Sequence, residues 1–327
     1  EVMIGGNGQK NILRENVIDL LRDMQSILSN RSNGSVQENI MNEQPLVSVI
    51  IPTYNRNDCV IKAIGSVLGQ TYKHAEIIVI DDGSTDLTYE AVFEFSKKHP
   101  NIVLFKNENN LGFVKSLNKG VSLAKGKYIA RLDDDDEWSD AKKLEKQIDF
   151  LEKNLEYVLV GGGVIKKYKN DQESLRYLLP ETDEDIRKVI LSYNVFAHSA
   201  VVFKRSAFTE AGGYQEQFGF FADKALWLAM GKLGKFYNFS DFFIYYIDQE
   251  LGSKKSSRDY EIRRKVLMRI RLINQYKNYY PGHKKALLLS LIGYVYSFLP
   301  FRSFFWQFLF KLRSIVLGQP PYKYFEP

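Results

Sequence analysis

The chain has 327 residues, of which 45% are apolar; 45 Lys and Arg stand against 39 Asp and Glu, a formal net charge of +6, and there is one cysteine. That length fits one large domain with appendages, and that apolar fraction is enough to bury a core. The lone Cys59 excludes an internal disulfide and suits a reducing cytoplasm, while the mild basicity suits nucleic acid, anionic lipid or a phosphate-bearing substrate without choosing among them.

In chain order, residues 11–28 read as a helix with Leu13, Val17, Leu20, Met24 and Ile27 on one stripe. So short a helix must pack on something, either its own chain or a second protomer. A polar stretch, Asn30 to Gln44, reads as a linker. From Pro45 the pattern changes. Apolar, β-branched runs at 47–51, 76–80, 102–105 and 127–132 alternate with helical stretches at 58–68, 86–98 and 113–124. Strand–helix alternation with near-continuous apolar strands predicts an α/β fold whose mostly parallel sheet is flanked by helices. Ligands on such sheets bind at the carboxyl ends of the strands. Further strands are expected at 157–164, 195–203 and 236–247, and a helix at 222–233. A basic helix at 258–271 and an uncharged run at 286–301 close the chain. The division expected is therefore 1–44 (N-terminal helix and linker), 45–250 (the α/β domain) and 251–327 (a helical, aromatic and basic C-terminal extension).

Three strand ends carry chemistry. The first strand is expected to stop at Pro52 and turn through Thr53-Tyr54-Asn55-Arg56, where the Tyr54 ring can stack on a base, though taken alone the motif is better explained as a simple strand-to-helix turn. The second ends in Asp81-Asp82-Gly83-Ser84-Thr85-Asp86. Its adjacent carboxylates repel and call for a compensating role, such as Asp82 accepting from a pyrimidine N–H, while Thr85 or Asp86 caps the next helix. The fourth ends in Asp133-Asp134-Asp135-Asp136-Glu137-Trp138. Such a run is costly unless a cation neutralises it, and hard divalent ions take oxygen ligands of this kind together with substrate phosphates. The alternative is a solvated acidic loop ahead of a helix. Asp223, in Phe220-Phe221-Ala222-Asp223-Lys224, is explained on its own by N-capping.

Together these segments resemble the family 2 glycosyltransferases, which have the GT-A fold. The resemblance rests on Val47–Arg56, Gln70-Thr71-Tyr72, Glu76–Asp86, Asn110-Leu111-Gly112 with Asn118, and Gly126–Trp138. His198-Ser199-Ala200-Val201, Gly212-Gly213-Tyr214 and Ala222–Trp227 follow in the same order, so the likeness runs from Pro45 to Asp248. It implies that Pro52, Tyr54 and Asp82 hold the base, usually uracil, and that Arg131 reaches the donor. It also implies that Asp133 and Asp135 form the D-x-D pair with Asp135 on the metal (Mn²⁺ or Mg²⁺), that Asp133 or Asp134 faces the ribose or metal, and that Asp223 is the general base. The family commonly has Glu-Asp where this chain has Ala222-Asp223. The Gln-x-x-Arg-Trp motif and transmembrane helices of processive synthases are missing, which favours single sugar addition.

The reaction so implied is inverting transfer from a nucleotide sugar, a UDP-sugar by resemblance, to a glycan, lipid-linked or protein-linked hydroxyl in surface-glycan assembly. The setting expected is the cytoplasm at the inner face of the membrane. The aromatic and basic segment 286–313 suits a peripheral membrane contact or a helical subdomain packed on protein, residues 11–28 suit a homo-oligomer, and no nucleic-acid motif is present. Two other classes compete. A nucleotide-sugar-forming nucleotidyltransferase would need a Gly-rich phosphate loop where Pro52-Thr53-Tyr54 stands, and a non-catalytic glycan-binding protein would have lost the acidic cluster.

Overall fold

The computed structural model describes residues 44–168, 172–248, 259–296 and 322–325. The expected helix at 11–28 and the linker lie outside the described residues, as does most of 286–313.

The parallel half of the sheet forms where the sequence places it. Strands β1 (Val47–Thr53), β2 (Ala75–Asp81), β3 (Ile102–Lys106) and β4 (Tyr128–Arg131) lie in the order β4-β1-β2-β3, all parallel. They are joined by helices α1 (Val60–Leu68), α2 (Thr88–Ser96) and α3 (Phe113–Leu123). Every residue of β1 is buried. Successive strand side chains point to opposite faces, so both faces need an apolar cover. Val47, Val49 and Ile51 join Ile77 and Val79 and the α1 residues Val60, Ile64 and Val67 in one cluster. Ile50, Ile78 and Ile80 join Leu117 and Val121 of α3 in another. The α3 packing is close: a Cβ on Gly120 would stand 2.5 Å from Cγ2 of Ile50. β1 runs through Pro52 to Thr53 rather than stopping at the proline, and Pro52 stays in register with Ile80 of β2.

The other half is mainly antiparallel. A short strand β5 (Asp136–Trp138) follows the acidic turn, then α4 (Lys143–Lys153), β6 (Tyr157–Tyr168), β7 (Glu173–Leu178) and α5 (Asp183–Val189). The strand expected over 195–203 is instead a turn with a 3-10 segment, His198–Ala200, leading into β8 (Val202–Lys204). That turn lifts His198 and Ser199 out of the ladder and toward the site. Helix α6 (Arg205–Glu210), a 3-10 turn at Glu216–Phe221, α7 (Ala222–Met230) and β9 (Lys235–Asp248) complete this half. β8 joins β4 to β6, β7 is antiparallel to β6, and β9 bridges β6 and β5.

Two C-terminal helices, α8 (Asp259–Tyr276) and α9 (His283–Tyr296), and a last strand, β10 (Lys323–Phe325), belong to the same compact unit, residues 46–327. Leu272, Ile273, Tyr276, Tyr280, Ala286 and Leu289 are buried in one cluster with Trp227, Leu226 and Phe236. The Tyr280 hydroxyl donates to the Leu228 carbonyl at 2.8 Å. The uncharged run thus gives one face of α9 to the core, while Leu288, Leu291 and Val295 stay exposed. No helix among the described residues is long and apolar enough to cross a membrane.

Shared burial makes the C-terminal helices part of the cooperative fold. Tyr280→Ala should destabilise the protein by about 3–5 kcal/mol, as large-to-small core changes do. Chemical denaturation should show one shifted transition; a separate early transition for the C-terminal helices would count against a single core.

Candidate active site

The loops at the carboxyl ends of the parallel strands are bound to one another by side-chain hydrogen bonds. Asn55, held at a φ of 52°, donates its N–H to Ser84 Oγ at 3.0 Å, and its side-chain amide oxygen accepts from Thr85 N–H at 2.9 Å. Asparagine is among the few residues that tolerate this left-handed conformation. Arg56 N–H donates to Thr88 Oγ1. The first and second motifs therefore fix each other, and the Tyr54 ring is left 42% exposed beside buried Pro52.

Asp82 is buried and already engaged. One carboxylate oxygen accepts from Asn107 Nδ2 at 2.8 Å and Leu111 N–H at 2.9 Å, and the other from Gly112 N–H at 2.8 Å. Gly112, at a φ of 91°, turns the chain into α3. A carboxylate offers about four lone-pair sites, so one acceptor position remains.

The acidic turn divides its four aspartates. The Arg131 side chain, 1% exposed, donates to the carbonyls of Ile50 and Leu132 and to the Asp133 carboxylate. These are the bonds of Arg131, the residue expected to reach the donor. Burial, the largest single influence, would raise the Asp133 carboxyl, but the Arg131 and His198 side chains and the hydrogen bonds from Ser199 and Arg131 together outweigh it and hold the group below its usual range. Ser199 Oγ accepts from Asp133 N–H at 3.0 Å and donates toward both Asp133 and Asp136. Burial, then the Asp133 charge, pushes buried Asp136 well above the carboxylate range. Asp134 is raised to about 6, chiefly by burial. Asp135 is raised by burial and then by Asp133. Their cationic neighbour is Arg56, 3.9 Å from Asp134 and 3.7 Å from Asp135.

His198, Tyr214 and Asn118 link the later motifs to this turn. Gly212 and Gly213, at φ of 85° and 69°, reverse the chain. Tyr214 is then clamped by Asn118, whose Nδ2 donates to the Tyr214 carbonyl and whose Oδ1 accepts from its N–H. The Tyr214 hydroxyl lies 2.8 Å from His198 Nε2. Burial and then the Arg131 charge lower His198 to about 3, so its imidazole is neutral near pH 7.

Asp223 opens α7, where one oxygen accepts from Asn194 Nδ2 at 3.0 Å. Burial raises its carboxyl. Behind it, Lys224 is buried and donates to the carbonyls of Leu191 and Tyr193, and burial holds its ammonium well below the lysine range. A cavity of about 820 Å³ is lined by Asp133 and Asp136 on one side and Asp223, Lys224 and Asn194 on the other. Tyr177, Arg269, Tyr322 and Tyr324 complete its far wall. The structure thus brings Asp133 and Asp223, 90 positions apart in the chain, to one space.

Sequence reasoning did not single out Asn194, Ser199, Arg269, Tyr322 or Tyr324. Ser199 lay within a quoted motif, so the signal existed. Arg269 lay in the basic helix expected at 258–271 without a site role, Asn194 and the two tyrosines sit in stretches without a pattern, and only packing brings them here.

A divalent ion fits the donor set. Among the described residues no three His, Cys, Asp or Glu side chains converge as a ready metal cage. Asp133, Asp134 and Asp135 nevertheless present adjacent carboxylates, Asp134 raised to about 6 and Asp135 raised as well, with Arg56 3.9 Å from Asp134 and 3.7 Å from Asp135. Two carboxylates completed by phosphate oxygens and water are what Mg²⁺ usually accepts.

Ser199→Ala should cost about 1–3 kcal/mol, because it strips a hydrogen bond from buried Asp136 and from the Asp133 backbone. Thermal or chemical unfolding measures this; a neutral substitution would show that Ser199 does not organise the turn.

The chain was compared with known proteins. The family described as "Glycosyl transferase family 2" matches residues 48–212. An uncharacterized glycosyltransferase of Haemophilus influenzae is 33% identical over 218 residues, 63% of this chain and 66% of that protein. The UDP-Glc:alpha-D-GlcNAc-diphosphoundecaprenol beta-1,3-glucosyltransferase WfaP of Escherichia coli is 42% identical over 107 residues, 33% of this chain and 41% of that one. The matches to such curated relatives span less than two thirds of their length. Among solved structures, the mannosyltransferase PcManGT from Pyrobaculum calidifontis, in complex with GDP-Man and Mn²⁺, has a TM-score of 0.56 at 18% identity, covering 86% of this chain and 78% of that one. That likeness is one of fold.

Proposed function

The chain belongs to glycosyl transferase family 2, and from that premise we propose that it transfers a sugar, with inversion, from a nucleotide sugar to a hydroxyl acceptor in polysaccharide assembly. The carrying observation is the single cavity lined by Asp133 of the acidic turn and by Asp223.

In the proposed reaction the base of the donor lies against Pro52 and Tyr54, with the remaining acceptor position of Asp82 turned to a base N–H. Asp135 and Asp133 would hold a divalent ion, with Asp133 or Asp134 facing the donor's ribose. When bound, the ion supplies positive charge that stabilises the diphosphate as it leaves. Arg131 acts beneath them as the internal counter-charge of Asp133. Asp223 accepts the acceptor's hydroxyl proton, and that oxygen forms the new bond to the anomeric carbon. The bond from that carbon to the diphosphate oxygen breaks, its electron pair leaving with the nucleoside diphosphate. Attack opposite the leaving group inverts the centre, and no enzyme nucleophile is needed.

A UDP-sugar donor and an undecaprenyl-diphosphate-linked acceptor are supported by the glucosyltransferase WfaP, whose name states both. Mn²⁺ is supported by its presence with the mannosyltransferase of like fold. A peripheral contact with the inner face of a membrane is supported by exposed Leu288, Leu291 and Val295 on α9, next to Lys284 and Lys285. Pairing through residues 11–28 rests on their apolar stripe alone.

Asp135→Ala should lower Mn²⁺-dependent release of UDP from UDP-sugars by about 10²-fold or more, several kcal/mol of charge stabilisation being lost. Full activity in that variant would remove the metal assignment. Asp223 offers a separate test. Its raised carboxyl must be ionised to act as base, so activity should fall as pH drops through its pKa. The Asn194 hydrogen bond lowers that pKa. Asn194→Ala should therefore move the acid limb of the pH profile to higher pH, whereas Asp223→Asn should abolish the limb and cut turnover about 10²-fold or more with donor binding kept. An unmoved limb in Asn194→Ala would place the base elsewhere.

A further inference from the structure

The last described residues return to the site. β10 pairs antiparallel with β7, setting Tyr324 opposite Tyr177, and places Tyr322 and Tyr324 on the wall of the cavity that holds Asp223. The Tyr322 hydroxyl donates to the Asn194 carbonyl at 2.7 Å, and the Asn194 side chain donates to Asp223. The ring of Tyr322 lies 5.9 Å from Tyr177 and 6.2 Å from Tyr193, edge-on to the latter. These contacts give the wall a rigid aromatic backing.

Its outer rings are wet. Tyr324 is 53% exposed and Tyr246, on β9 at the same cavity, is 44% exposed. Core packing does not account for rings left in water at the mouth of a largely apolar cavity, and exposed aromatic surface of this kind marks a binding site. A pyranose suits it. The C–H face of a sugar ring is apolar and lies flat on an aromatic ring, while its edge hydroxyls reach the polar groups around it.

We propose that β10 forms one wall of the acceptor subsite, with Tyr324 as the platform for the terminal pyranose of a glycan acceptor and Tyr322 as a positioning residue acting on Asp223 through Asn194. This rests on the reading of Asp223 as the base. It assigns acceptor recognition to the C-terminal strand, beyond the segment that matches the family, 48–212.

The test separates binding from turnover. Ligand-observed NMR with a panel of p-nitrophenyl glycosides should show binding to the wild type that Tyr324→Ala weakens about tenfold and Tyr324→Phe keeps, consistent with the worth of one aromatic contact. UDP release from a UDP-sugar without acceptor should stay within about twofold in Tyr324→Ala, while the KM for the glycoside rises about tenfold and kcat barely changes. Tyr322→Phe should shift the acid limb of the transfer profile, which a merely structural tyrosine would not do. Glycoside binding that is absent from the wild type, or unchanged in Tyr324→Ala, overturns the subsite. Tyr324-dependent binding in a wild type that turns over no nucleotide sugar upholds the subsite and overturns the transfer reading instead.

Discussion

Four consecutive carboxylates must be accommodated at the end of β4, where burial opposes charge, and the way their charge is divided governs the site. Repulsion among them grows as solvent is excluded, so they cannot all ionise beside one another. Asp133 is given a guanidinium from inside the sheet, and Asp136 a hydroxyl and a position at the head of β5. Asp134 and Asp135 face Arg56 at 3.9 and 3.7 Å. Burying Arg131 is itself tolerable only because Asp133 stands against it, since a lone buried charge costs far more than a pair. His198 stays neutral near pH 7 chiefly through burial and then through the Arg131 charge, so it adds no second cation beside Arg131.

The neighbouring loops obey a related constraint. Loops at a strand's carboxyl end have few apolar contacts, so their shape must come from hydrogen bonds. Asn55 with Ser84 and Thr85, Asp82 with Asn107 and Gly112, and Asn118 with Tyr214 are such bonds. Motif residues here therefore hold their neighbours in place, whatever else they bind. Asp82 shows this most clearly, three of its acceptor positions being spent on the loop before α3.

What could be read from the sequence follows from what is local. β1 to β4 and α1 to α3 were legible because each is a run of apolar residues with its own period, and the acidic turn because charge density needs no partner to be noticed. The equation of four aspartates with one cation was too simple, since Arg131 and Ser199 answer for two of them and only folding brings Ser199 there. The segment 195–203 read as a strand because Val195, Phe196, Val201, Val202 and Phe203 are apolar, yet its middle turns so that His198 and Ser199 face the site. β7, β10 and Asn194 carry no periodic signal; β7 is placed by pairing with β6, β10 by pairing with β7, and Asn194 by the cavity it lines.

The environment of Asp223 ties the C-terminal helices to the chemistry. An acid at the first turn of a helix is stabilised as its anion by the helix dipole, which lowers a pKa. Burial opposes this, and the net result is a raised carboxyl. A base must hold its proton weakly enough to release it later but strongly enough to take it, so a pKa brought up toward working pH serves the proposed role. Hydrogen bonds from the Lys224 N–H and the Asn194 side chain, and the Lys224 charge, keep that rise in check. Arg269, on α8, donates to the Ser192 carbonyl two residues before Asn194. A boundary at residue 250 would therefore cut through the wall of the site. The helices beyond it bury Tyr276 and Tyr280 in the same cluster as Trp227, and so hold α7, with Asp223 at its head, against the cavity.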